Sequence, residues 1–280
     1  MSSELVVAAA QMTSIDDVDA NLMQIEALLE DIFKSQKPED KVRLVGFPEN
    51  CLYMRVVEGE SIQGFTLSHY AFARLSEQAK KYDTYIHLGS VPMYVEGHLY
   101  NSSVLISPQG EVTPTYQKMH LFDIQLEGQK PIRESDVFRH GQKPNIIEVD
   151  GWRIGEAICY DIRFAELFSQ YARKEVDLIL VPAAFLVKTG EAHWEVLLRA
   201  RAIESQSYLL ASAQGGIHQS VKSGVRETHG HSLIVDPWGT IVGQVAKRAV
   251  GFTVAKLSRE RIDSVRRQIP MKFHRRLPVA

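Results

Sequence analysis

Apolar residues recur along the chain in short runs that alternate with longer stretches of helical spacing. Residues 4–10 make an apolar run of strand length, and residues 18–33 follow with Leu22, Ile25, Leu29, Ile32 and Phe33 at helical intervals. A second strand-like run, residues 42–47, stops at Pro48. A helix is predicted over residues 69–82, with Phe72, Leu75 and Ala79 on one stripe, and a strand over residues 85–91. Residues 99–107 and 111–116 form a hairpin pattern around Pro108-Gln109-Gly110. Residues 117–144 are polar and irregular, too long for a mere connector, and loops of that length are more often functional than not.

The second half repeats the alternation. Residues 146–149 and 153–158 pair across Asp150-Gly151, and residues 163–173 place Phe164, Leu167, Phe168 and Tyr171 on one helical face. Strands are expected at 176–181, 208–213, 232–235, 240–245 and 252–257, and a helix carrying Trp194, Leu197, Leu198 and Ile203 at 192–206. Pro237-Trp238-Gly239 joins two of those strands, and a basic helical tail closes the chain. No Gly/Ser-rich or Pro-rich run marks a linker. The pattern therefore predicts one α/β domain over residues 1–280, with a core at about 4–257 and a tail at 258–280.

Composition narrows the function classes. The 280 residues are 45% apolar and carry a formal charge of −2, which gives no electrostatic reason to expect nucleic acid or an anionic membrane as partner. No run approaches the ~20 apolar residues needed to span a bilayer, and the first residues lack a signal-like pattern. Two cysteines, Cys51 and Cys159, are too few for a disulfide framework, so a cytoplasmic setting is expected.

Three reactive side chains share a structural context. Glu49, Lys118 and Cys159 each stand just past the C-terminal end of an expected strand, where α/β sheets usually place ligands. Cys159 also precedes a helix, so the amides after it point towards whatever it attacks. Each has an ordinary structural alternative: a packed thiol for Cys159, a turn cap for Glu49, a solvated surface lysine for Lys118. Spacing alone does not bring the three together.

Longer motifs add to this. The segments Phe47-Pro48-Glu49-Asn50, Tyr116-Gln117-Lys118-Met119-His120-Leu121-Phe122-Asp123 and Ile158-Cys159-Tyr160-Asp161-Ile162-Arg163-Phe164 resemble the three catalytic signatures of the nitrilase (carbon–nitrogen hydrolase) superfamily, in the family's order. Similarity runs over about residues 6–270 and includes Pro182-Ala183-Ala184-Phe185, the stretch from His193 to Glu204, and Asp236-Pro237-Trp238-Gly239. The resemblance implies a four-layer αββα sandwich, a homodimer or higher homo-oligomer packed through helices 163–173 and 192–206, and no cofactor or metal. It also implies a second glutamate, which falls on Glu134.

The implied chemistry is amide cleavage. Glu49 takes the thiol proton of Cys159, Lys118 and the backbone N–H of Tyr160 hold the oxyanion, and Glu134 orients Lys118 or the substrate nitrogen, its plainer role being a structural ion pair. A cysteine–histidine pair is the rival mechanism, with His120, His140, His193, His229 and His231 available. His229 and His231 also form an H-x-H pair, but no further ligand cluster accompanies them. No phosphate-binding or dinucleotide glycine motif is present.

Within the superfamily, Cys159-Tyr160-Asp161 followed by Phe164-Ala165-Glu166-Leu167 resembles the branch of deaminated-glutathione amidases and ω-amidases. Gly128-Gln129 and the stretch from His193 to Tyr208 are more similar to the former, which release 2-oxoglutarate and cysteinylglycine. An ω-amidase acting on 2-oxoglutaramate is the alternative, and a silent binding protein on the same fold is a third. Residues 214–228 depart from both patterns and are expected as a loop bordering the pocket. Arg199, Arg201 and Lys188 are the basic residues compatible with a substrate carboxylate.

Overall fold

In the computed structural model, which describes residues 2–125, 128, 131–245 and 248–277, the apolar runs become two six-stranded sheets laid face to face. Gln129 of the motif above lies outside the described residues. The first half contains β1 (Glu4–Gln11), α1 (Val18–Ser35), β2 (Val42–Gly46), α2 (Tyr70–Tyr82), β3 (Tyr85–Val95), β4 (His98–Ile106) and β5 (Val112–Gln117). A small ribbon of β6 (Asp123–Ile124) and β7 (Ile132–Arg133) follows. The second half contains β8 (Ile146–Val149), β9 (Trp152–Glu156), a 3₁₀ turn (Cys159–Arg163), α3 (Ala165–Arg173), β10 (Leu178–Leu180), α4 (Val187–Ser205) and β11 (Tyr208–Ala211). After these come β12 (Gly215–Gln219), β13 (Val225–His229), β14 (Leu233–Val235), β15 (Ile241–Gln244), β16 (Gly251–Ser258), α5 (Arg259–Gln268) and α6 (Met271–His274).

Strand alternation sorts the side chains into layers. Along β1, Val6, Ala8 and Ala10 pack with Leu22, Ile25 and Leu29 of α1 and with Phe72 and Leu75 of α2. The intervening Leu5, Val7 and Ala9 pack instead with Trp152, Leu178, Leu180 and Leu210 of the opposite sheet. On β11 the arrangement is mirrored: Leu209 and Ala211 meet Phe168, Trp194 and Leu198 of α3 and α4, while Tyr208 and Leu210 face the first sheet. The result is the expected four-layer αββα sandwich. Because central strands are buried on both faces, they read in the sequence as continuous apolar runs.

The two sheets share one plan. In the first, β16-β1-β2-β3-β4-β5, the strands β1, β2 and β3 are parallel and the others antiparallel; in the second, β8-β9-β10-β11-β14-β15, the parallel trio is β9, β10 and β11. Glu49 and Cys159 follow strands of these trios, and Lys118 follows β5, which runs in the same direction as β3.

Four expectations need correction. β3 runs on to Val95 and turns at Glu96-Gly97 into β4. α4 begins at Val187, five residues earlier than its apolar spacing indicates. Residues 163–173 begin with the end of a 3₁₀ turn, and α3 proper starts at Ala165. Residues 214–228 contain a hairpin, β12 with β13, where a loop was expected. Among the described residues, no helix is long and apolar enough to cross a membrane.

Candidate active site

Glu49 follows β2 by three residues, Lys118 directly follows β5, and Cys159 follows β9 by three. Their strand ends meet because Gly89 of β3 carries no side chain. A Cβ there would lie 2.1 Å from the Phe47 carbonyl oxygen and 2.3 Å from Pro182 Cβ, so glycine is required for β3 to pass between them.

Cys159 has left-handed backbone, with φ of +48°, a conformation that costs a non-glycine residue about 1 kcal/mol or more. Its N–H donates to the Pro182 carbonyl at 2.8 Å. The next turn is locked by Asp161, which is fully buried and accepts four hydrogen bonds. Oδ2 takes the Ile158 N–H at 2.9 Å and the Tyr116 hydroxyl at 2.8 Å; Oδ1 takes the His120 N–H at 2.9 Å and its Nδ1 at 2.6 Å. One carboxylate thereby ties the Lys118 segment to the Cys159 segment.

Glu49 and Lys118 are both buried and directly paired. Lys118 Nζ lies 2.8 Å from Glu49 Oε1 and 2.8 Å from Glu134 Oε2. Asn101 Nδ2 donates to Glu49 Oε1 and to Glu134 Oε1, each at 3.0 Å. The Ala184 N–H donates to Glu49 Oε2 at 2.9 Å, and the Phe122 N–H to Glu134 Oε2 at 2.6 Å. Both carboxylates are thus fixed by backbone as well as by side chains.

The protonation states follow from this packing. Burial works to raise the Glu49 pKa, but the Lys118 ammonium outweighs it, and the carboxyl sits below its ordinary 4.5. Burial would neutralise Lys118, yet Glu134 and Glu49 hold it firmly protonated. Cys159 is pushed well above its ordinary range, by burial first and by the Glu49 charge second. At rest the site holds a thiol, a carboxylate and an ammonium.

These groups open onto a cleft of about 620 Å³, its mouth included, walled by Tyr53, Ile62, Pro92, Phe122, Ile132 and Phe138. Glu49, Lys118, Glu134 and Cys159 all line it, so the cleft brings together the four residues singled out from the sequence. The Tyr160 ring stands edge-on to Phe122 at 5.0 Å and to Phe164 at 5.4 Å. Among the described residues, no histidine lines the cleft. His120 is bonded to Asp161 and stacked on Phe164 at 3.7 Å, and His193 meets Arg163 on the surface. His229 and His231 stack on each other at 4.5 Å beside α4.

The three basic residues named from the sequence stand elsewhere. Arg201 is buried against the Ile162 and Arg163 carbonyls, Arg199 bonds the Gly239 carbonyl and Glu195, and Lys188 is exposed. The cleft instead holds Arg55, paired with Glu58, and Arg226. Sequence reasoning also missed Asn101 and the anchoring role of Asp161. The available signal for Asn101 was the polar run Asn101-Ser102-Ser103 inside an otherwise apolar strand, all three of which are buried.

Comparison with known proteins agrees with the geometry. A family model described as carbon–nitrogen hydrolase matches residues 6–267. A deaminated glutathione amidase from Synechocystis is 36% identical over 275 residues, covering 96% of this chain and 97% of that one. The Yersinia enterocolitica protein of the same name is 35% identical over 277 residues, covering 96% and 92%. Among solved structures, Saccharomyces cerevisiae Nit3, a member of branch 10 of the nitrilase superfamily, superposes with a TM-score of 0.81 at 28% identity, covering 99% of this chain and 98% of that one.

Proposed function

The chain belongs to the carbon–nitrogen hydrolase family and is an amidase, and on that premise we propose that Cys159, Glu49 and Lys118 cleave the amide through a thioester. Cys159 Sγ attacks the carbonyl carbon while its proton passes to Glu49. The oxygen takes the negative charge and is held by Lys118 Nζ and the Tyr160 N–H. On collapse the C–N bond breaks, Glu49 gives its proton to the departing nitrogen, and the acyl group remains on sulfur. Glu49 then takes a proton from water, hydroxide adds to the thioester, and the acid leaves as the thiol re-forms. Glu134 keeps Lys118 charged and aimed. No step uses a cofactor or metal.

The observation that carries this reading is the shared hydrogen-bond set: one ammonium between two carboxylates, one of them against the thiol, in a single cleft. For the substrate we propose deaminated glutathione, with release of 2-oxoglutarate and cysteinylglycine, because the Synechocystis and Yersinia relatives, which match over nearly their whole length, bear that name. We also propose a homodimer through the outer side of α4, and a reducing cytoplasm, with which the free thiols Cys51 and Cys159 agree.

Quenched-flow mass spectrometry tests the chemistry. During turnover the protein should carry one acyl adduct on Cys159, and Cys159→Ala should lose both adduct and turnover while folding normally. Retained turnover in that variant rejects the nucleophile. Faster ammonia release from 2-oxoglutaramate than cysteinylglycine release from deaminated glutathione would reassign the substrate.

A further inference from the structure

The hydrolytic chemistry leaves one charge in the cleft unused. Three carboxylates, Glu49, Glu58 and Glu134, and three cations, Arg55, Lys118 and Arg226, line it. Lys118 is neutralised by Glu49 and Glu134, and Arg55 by Glu58. Among the described residues, no carboxylate lies within ion-pairing distance of Arg226. Its hydrogen bond runs from Nη1 to the Arg55 carbonyl at 3.3 Å, a weak use of a five-donor fork.

Arg226 is delivered there by a rigid element. On β13 the side chains alternate, so Val225 and Glu227 point to solvent while Arg226 and Thr228 point inwards. Thr228 bonds His218 Nε2 at 2.7 Å, and His218 Nδ1 bonds the Ser14 carbonyl at 2.6 Å. Beyond the β12 end of the hairpin, the Ser220 hydroxyl and the Val221 N–H bond Asp16, and its base is held by the His229 N–H on the Phe185 carbonyl at 2.9 Å. Burial lowers the Arg226 pKa, against the pull of the Glu58 and Glu49 carboxylates from beyond ion-pairing distance. An arginine kept partly desolvated without a counter-ion is costly unless an anion arrives.

We infer that Arg226 is the specificity-determining residue of this cleft, its guanidinium anchoring the free carboxylate on the acyl part of the substrate. The inference rests on the reading of the cleft as the amide-cleaving site. A guanidinium accepts a carboxylate through two parallel hydrogen bonds, fixing direction as well as charge. Without Arg226 the wall would carry one net negative charge and repel such an acid. With it, the acid enters a neutral cleft with its amide end at Cys159.

Calorimetric titration of the non-cleaving Cys159→Ala protein tests this with two probes of equal length. Glutaramate has a carboxylate at one end and an amide at the other; glutaramide is neutral at both. Glutaramate should bind the tighter. Adding Arg226→Met should weaken it by roughly 10- to 100-fold while changing glutaramide less than about threefold, and Arg226→Lys should fall between. Equal weakening of both probes would make Arg226 a structural wall residue and overturn the proposal. So would unchanged glutaramate affinity, or glutaramate binding no better than glutaramide. Amide turnover by the unaltered protein is measured separately: its absence would sink the hydrolase assignment of this cleft and leave the titration readable.

Discussion

A thiol buried beside a carboxylate has two reasons to keep its proton, and Cys159 has both. In the proposed mechanism, reactivity therefore depends on Glu49 being ionised when substrate arrives, not on a standing thiolate. Lys118 secures that by holding the Glu49 pKa below 4.5 against the opposing effect of burial. A depressed carboxyl pKa places the acid limb of kcat/KM below about pH 4.5, and the raised thiol pKa places the alkaline limb above about pH 9. The profile should be flat from about pH 5 to 8.5. By linkage, the ion pair's contribution to stability is present above the ordinary Glu pKa and is lost as pH falls through the depressed value. Lys118→Met removes the ammonium but leaves the burial, so Glu49 should rise and the acid limb move upwards, with kcat down by about two to three decades from the lost oxyanion contact. An acid limb near pH 7 in the unaltered enzyme, or one that stays in place in Lys118→Met, would show that the ammonium does not set the Glu49 ionisation.

Between elements, the anchoring of the 3₁₀ turn by Asp161 joins the ends of β5 and β9. Its side chain satisfies four donors at full burial, so Asp161→Ala strands them together; a loss of about 3–5 kcal/mol is expected, lowering Tm by roughly 10 °C. The fall in kcat should exceed what the unfolded fraction accounts for, because Cys159 and Lys118 lose their common support. A Tm within about 2 °C of the unaltered protein would remove Asp161 from that role. The same scale explains what the sequence made legible. Two-face burial produced the apolar runs of β1, β10 and β11, and periodicity revealed α1 and α2. The β12–β13 hairpin escaped because its order comes from hydrogen bonds of His218 and Ser220 to distant Ser14 and Asp16, and of Thr228 to His218 across the hairpin, not from apolar alternation. The first turn of α4 escaped because Gly190 is there to make room for His229, whose Cγ would lie 2.2 Å from a Cβ at that position. Glu49, Lys118 and Cys159 were each legible at strand ends, but their convergence depends on the packing of one sheet against the other, which no local pattern encodes. The motif resemblance supplied it. Arg226 had no such help, since it lies outside the segments that carried the resemblance.

At the scale of the whole molecule, the proposed dimer raises the question of which surface would meet a second copy. The large side chains of α3 and α4 do not answer it: Phe168, Tyr171, Trp194 and Leu198 are all buried against the second sheet, so the expected surplus of apolar bulk is spent inside the protomer. What remains outside is a narrower stripe. Val196 and Ile203, two turns apart on α4, are 63% and 46% exposed, and Trp238 beside them is 47% exposed. Ile203 packs over Gly239, which joins the helix to the Trp238 turn. The stripe continues towards the C-terminal segment, where the Arg275 guanidinium bonds the Glu204 carbonyl and Phe273 is 73% exposed. Exposed apolar side chains grouped on this side, in a chain whose formal charge is only −2, are what the proposed self-association would cover. In the proposed two-fold dimer, each α4 would meet its counterpart through the same residues. The double variant Val196→Asp and Ile203→Asp would then place like charges at the centre of the contact. It should sediment as a monomer while the unaltered chain sediments as a dimer, and its circular dichroism should be unchanged because neither side chain supports the core. A monomeric unaltered chain at micromolar concentration, or a double variant that still dimerises, would assign the interface to another face.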